Sequence, residues 1–146
     1  MKLDSPRKEF SDAVSKAAEA ASVRTSVNIL QYLKVEATDA GLRVLGCDGE
    51  MWVERNVACM VQEPGAICLQ ASLLSQLVSS LHDGDIQLHT LDGHGALLKQ
   101  GASEYRLQTL DASDFPEPPN YGGEGELTLT MGTLREAVDS VIYAVS

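Results

Sequence analysis

Apolar residues recur at Phe10, Ala13, Val14, Ala17, Ala18 and Ala21, offsets of 0, 3, 4, 7, 8 and 11. That spacing is one face of a helix, and Ser5 with Pro6 ahead of it predicts an N-cap and a first helical position. The face is mostly alanine, so the helix axis is predicted to lie close to whatever it covers. Its reverse shows Lys8, Asp12, Ser15, Lys16, Glu19 and Ser22. Alternation then takes over. Ile29, Leu33, Val35 and Ala37, a turn at Asp39, Ala40 and Gly41, and an apolar run over 42–47 predict a hairpin. Residues 51–61 read as one further strand with a core face and a mixed face, closed by the turn residues Gln62 to Gly65.

The same order follows again. A short strand at 67–69 precedes a helix with Leu73, Leu74, Leu77, Val78 and Leu81 on one face behind a cap at Ser72. Asp83, Gly84 and Asp85 stop it, and three strands are predicted at 86–91, 96–99 and 104–110. Residues 111–126 hold three prolines, three glycines and five acids, which predicts a linker outside any core. Alternation restarts at Leu127, Leu129 and Met131, and Thr133 with Glu136 stands in capping-box spacing at the head of a last apolar face. Strand-then-helix starts therefore fall near residues 3, 67 and 127, the mark of a repeated unit. Two complete units of strand, helix and three strands fill residues 1–110, an α+β pattern. A lone strand and helix cannot bury their apolar faces. The expected organisation is thus a first domain over 1–120, then a linker and the truncated start of a second domain, one strand and one helix, over 121–146.

Composition changes this picture in one respect. The 146 residues, 44% of them apolar, suit about one domain. Eleven Lys and Arg against 21 Asp and Glu give a net charge of −10, which argues against gripping nucleic acid by bulk positive charge. The charge is uneven, however. Residues 1–24 carry five basic residues and four acids, +1, and the remainder carries −11. No apolar run is long enough for a membrane span or a signal peptide, so the chain reads as cytoplasmic, with no membrane partner.

Candidate chemistry is sparse. Cys47, Cys59 and Cys68 match neither zinc nor disulfide spacing and are predicted to be buried strand residues. His82, Asp83, Asp85, His89, Asp92 and His94 crowd into 13 residues, but they lie in turn sequences and on strand faces, without a metal-binding motif. Nucleophile-elbow and phosphate-loop motifs have no match. No catalytic residue, metal ligand or cofactor is predicted, and the chain reads as a non-enzyme.

Several segments in a fixed order carry a resemblance: the opening Met1, Lys2 and Leu3 with a helix behind it; Arg24 to Leu30 (RTSVNIL); Gly46 to Glu50 (GCDGE); Glu63 to Ala66 (EPGA); and Tyr105, Arg106 and Leu107 leading to Asp114 to Pro118 (DFPEP). Over nearly its whole length the chain resembles the N-terminal domain, plus the start of the second, of the bacterial sliding clamp, the beta subunit of DNA polymerase III. The resemblance implies a DNA-clamp fold, with antiparallel sheets outside and two helices on the DNA-facing side. It implies a processivity clamp that encircles duplex DNA as a homodimer ring. Such a ring is placed by a clamp loader, tethers the DNA polymerase III catalytic subunit and other replication or repair proteins, and catalyses nothing.

Carried over residue by residue, Arg24 matches the basic residue of the loop after the first helix, which reaches the DNA backbone. Lys8 and Lys16 would look into the hole, with Arg7 at the edge of the alanine stripe. Tyr105 and Leu107 match the edge strand through which subunits pair, and a core strand is the alternative for both. Ser26 and Asn28 stand where the family usually has Thr and Pro. Two competing readings remain: an acidic α+β protein-interaction module without a nucleic-acid role, and a metal-dependent hydrolase using His82, His89 and His94.

Overall fold

A computed structural model describes residues 1–21, 25–120 and 125–145. Strand β1 (Lys2–Pro6) runs into helix α1 (Arg7–Ala18), followed by β2 (Tyr32–Thr38), β3 (Gly41–Cys47), β4 (Trp52–Val57) and β5 (Met60–Glu63). The second unit comprises β6 (Gly65–Gln70), α2 (Ala71–Ser80), β7 (Asp85–Leu91), β8 (Gly95–Gln100) and β9 (Ser103–Asp111), and α3 (Met131–Val141) lies beyond it. The predicted α+β order is present, with antiparallel pairing throughout.

The two units interlock. Strand order is β4-β3-β2-β6-β9-β8-β7-β1-β5, so the first strand of each unit pairs with the second strand of the other: β1 with β7, β6 with β2. The first strand of each unit therefore completes its pairing only when both units are present. β9 pairs with β8 up to Gln108 and with β6 from Thr109, switching neighbours along its length. The predicted single strand at 51–61 does the same in the first unit but breaks at Ala58 and Cys59, its halves pairing with β3 and β1. Since β4 and β5 are adjacent in sequence yet end the strand order on opposite sides, the sheet curves until its ends approach, and β5 lies against β2 and β3.

Both α1 and α2 pack against each other inside this curve. Phe10, Ala13, Val14 and Ala17 of α1 and Leu74 and Val78 of α2 meet Leu33, Val35, Leu69, Leu88 and Leu98 in the main core, while Leu73, predicted on the buried face, is exposed. The alanine stripe performs as its size predicts: Ala17 lies directly over Gly46 of β3. The caps differ from the sequence reading. Ser5 is a buried β1 residue and makes no cap bond to α1, Gln70 rather than Ser72 precedes α2, and Thr130 rather than Thr133 caps α3 by accepting from Thr133 N. Of the strand predicted from Leu127, Leu129 and Met131, residues 127–130 carry no strand hydrogen bonds and Met131 opens α3, because a lone extended segment needs a neighbour to pair with.

A second, smaller core lies on the outer face of the sheet, where Leu30, Leu45, Cys47 and Cys68 are covered by Phe115. This corrects the reading of 111–126 as a linker outside any core. Phe115 is only 3% exposed, Trp52 Nε1 donates to the Pro116 carbonyl at 3.3 Å, and the nearly buried Lys34 ammonium donates to Glu117. Residues 112–117 form a strap. Its composition suggested a solvated segment, but one aromatic side chain and one ion pair are enough to anchor it; burying Phe115 contributes about 2 kcal/mol.

Candidate functional site

The helices turn their unburied sides away from the sheet. On α1 that side carries Lys8, Glu9, Asp12 and Lys16, all exposed; on α2 it carries Ser72, Leu73, Gln76 and Ser79, with no charge. Lys8 and Lys16 therefore stand where their positions opposite the alanine stripe predict. Arg7 does not. Its Nε donates to the Val78 carbonyl at 3.1 Å, its Nη2 to the Ser79 carbonyl at 3.3 Å, and its Nη1 lies 3.4 Å from Asp83. A guanidinium on the last carbonyls of a helix satisfies acceptors that have no intrahelical donor. Arg7 thus joins the end of α2 to the start of α1. Arg24 lies outside the described residues.

Sequence reasoning missed Arg55. In β4 it pairs with Val44, a residue of the main core, so its side chain leaves the sheet on the helix side and reaches Asp12 of α1 at 3.1 Å. Its place among Met51, Val53, Val57 and Cys59 on the parity read as core hid it; the antiparallel register reveals it. Lys16 in turn lies 3.4 Å from Glu19. Around this face Arg7, Lys16 and Arg55 each have an acidic partner, and among the described residues Lys8 has none within ion-pair distance. The wall is polar and close to neutral.

At the edges of the domain, β9 offers an unpaired side along Ser103 to Gln108, since its other side is taken by β8. Leu107 is 7% exposed in the main core and Tyr105 packs against that core half-buried. The inward parity fixes both side chains to the fold, and what this edge presents outward is its backbone together with Glu104, Arg106 and Gln108. Glu104 is held by Lys99 at 3.0 Å.

The groups considered for chemistry are dispersed. Among the described residues no three of His, Cys, Asp or Glu converge to hold a metal ion. His82 is tied through its backbone to Gln100. Cys47 and Cys68 are buried in β3 and β6 as predicted, whereas Cys59 sits half-buried in the break between β4 and β5. Burial pushes all three thiols up, Cys68 to about 12, so they are poor nucleophiles. Asp48 is held below the usual carboxylate range because the backbone N–H groups of Met51 and Glu50 donate to it, a turn-stabilising role.

A family model described as the DNA polymerase III beta subunit, N-terminal domain, matches residues 1–119. The chain belongs to that family. Among curated members of the beta sliding clamp family, the Bacillus subtilis beta sliding clamp is 24% identical over 154 residues, covering 100% of this chain and 41% of the relative. That of Synechocystis sp. is 32% identical over 155 residues, covering 100% and 39%. The crystal structure of the beta subunit from the DNA polymerase of Streptococcus pyogenes superposes with a TM-score of 0.93 at 27% identity, over 100% of this chain and 40% of that one. The clamp fold is therefore present, and the chain spans about 40% of the length of the clamps it matches. Among the described residues no helix is long and apolar enough to cross a membrane.

Proposed function

We propose that this chain supplies the first domain, residues 1–120, of a ring that encircles duplex DNA, with residues 121–146 linking to and beginning a second domain. Such a ring acts in the cytoplasm, is closed by head-to-tail pairing of two subunits through the free backbone edge of β9 around Tyr105 and Leu107, whose side chains face the core, and is placed on DNA by a clamp loader. It tethers the DNA polymerase III catalytic subunit and catalyses no reaction. The observation that carries this reading is the exposed face of α1 and α2, a polar wall with paired charges backed by a curved sheet. A protein held by topology slides only if its phosphate contacts are weak, and a near-neutral wall meets that need. Lys8 and Lys16 face the DNA on this reading, together with Arg24, while Arg7 contributes through the joint it makes with α2.

The test uses the full-length protein loaded on nicked circular DNA. Encirclement predicts retention on the circle and release within seconds of linearisation. Equal retention on both forms, or on neither, overturns it.

A further inference from the structure

Lys8, Asp12 and Lys16 are spaced four residues apart on the exposed side of α1, so one carboxylate stands a single helical turn from each of two ammonium groups. A third cation, Arg55, reaches the same carboxylate from β4, Nη2 to Oδ2 at 3.1 Å. Lys8 and Asp12 also line a shallow concavity of about 440 Å³ together with Arg7, Glu9, Ser11 and Ser15. Both members of the Arg55–Asp12 pair remain about half exposed, 48% and 58%. An ion pair at that exposure contributes at most about 1 kcal/mol to folding. Its position matters more than its strength, since it puts the only acid of the line at its centre.

Resting on the reading of this face as the DNA-facing wall, we infer that Arg55 is a further phosphate-contacting residue and that Asp12 sets its strength. Asp12 holds Arg55 as an internal ion pair, and the guanidinium engages a phosphate only by exchanging one oxyanion for another. The exchange is nearly neutral in charge, so it releases few counterions and adds little to the salt dependence of binding. Without Asp12, Arg55 would meet the phosphate as a free cation, while Lys16 keeps its own partner Glu19. Asp12 therefore acts as a positioning residue that keeps the contact loose.

The experiment titrates the full-length protein and three variants, Asp12→Asn, Arg55→Gln and the double variant, with a fluorescent linear duplex across a range of salt concentrations. Asp12→Asn is expected to steepen the slope of log K against log salt by about one. Arg55→Gln alone is expected to leave the slope unchanged, and the double variant to return it to the parent value. Thermal midpoints should stay within about 2 °C of the parent, as changes to a half-exposed ion pair allow. An unchanged slope in Asp12→Asn overturns the inference, as does a steep slope that persists in the double variant. Retention of the parent protein on nicked circles is measured alongside. Its absence overturns the encirclement reading and this inference with it, whereas normal retention with unchanged slopes removes the role of Asp12 alone.

Discussion

A β-carbon built on Gly46 would sit 2.0 Å from the carbonyl oxygen of Ala17, and at that distance helix or strand must move. Gly46→Ala is expected to destabilise the domain by about 3 kcal/mol, seen as a lower urea midpoint at unchanged slope. A loss below about 1 kcal/mol would mean that α1 slides aside freely. The alanine stripe made half of this contact legible in the sequence. Its partner was not, because Gly46 reads as one more residue of the strand predicted over 42–47, and alternation along that strand does not say which helix residue lies against it. Arg24→Ala tests a residue known only from the family resemblance. It is expected to weaken duplex binding by the full-length protein and to reduce the salt slope by about one, with the thermal midpoint unchanged. Equal slopes would remove Arg24 from the wall. Arg7 and Arg55 show why periodicity misjudges basic residues: a long side chain goes where an acceptor is, and the acceptors lie on α2 and α1, remote in sequence.

Among the elements, the strap over residues 112–117 is where composition misled most. Proline and acid content describe how a segment behaves alone, while Phe115 and Glu117 answer to Leu45, Cys68 and Lys34, residues far away along the chain. The hydrogen bond from Lys34 holds the Glu117 carboxyl below its usual value of 4.5. Because the folded value is the lower one, the pair's contribution is complete above about pH 4.5 and is lost as pH falls through the folded value. Glu117 is 65% exposed, so that contribution is only about 1 kcal/mol. Trp52, the only tryptophan, touches the strap and reports on it. Acidification below pH 4.5 is expected to shift its emission to the red before global unfolding, and Glu117→Gln is expected to show the shifted emission already at neutral pH. Coincident transitions in both proteins would show that the strap does not loosen separately. Strand pairings were more legible than the strap, since alternation marks faces directly. The break at Ala58 and Cys59 escaped notice because both halves keep compatible faces while changing partners.

For the whole molecule, the repeat of strand, helix and three strands was visible from spacing alone, and the interlocking of the two copies joins them in a single nine-stranded sheet. What spacing could not convey is closure, because a list of strands does not say which edges meet. Beyond the domain, Leu134, Val138, Val141 and Ile142 of α3 and its end are exposed, an apolar face with nothing against it among the described residues. The 146-residue chain is expected to self-associate with concentration in sedimentation velocity, and a version ending at Asn120 to remain monomeric with a thermal midpoint within about 2 °C. Association that survives the truncation would point to the edge of β9 instead. The strap also has a consequence in time. Trp52 waits for Pro116, 64 residues later, and Lys34 for Glu117, 83 residues later. At a synthesis rate of about 10 residues per second, the outer patch around Leu45 and Cys68 spends several seconds bare on a nascent chain. During that interval the unfinished domain offers chaperones an apolar surface that the mature fold never shows.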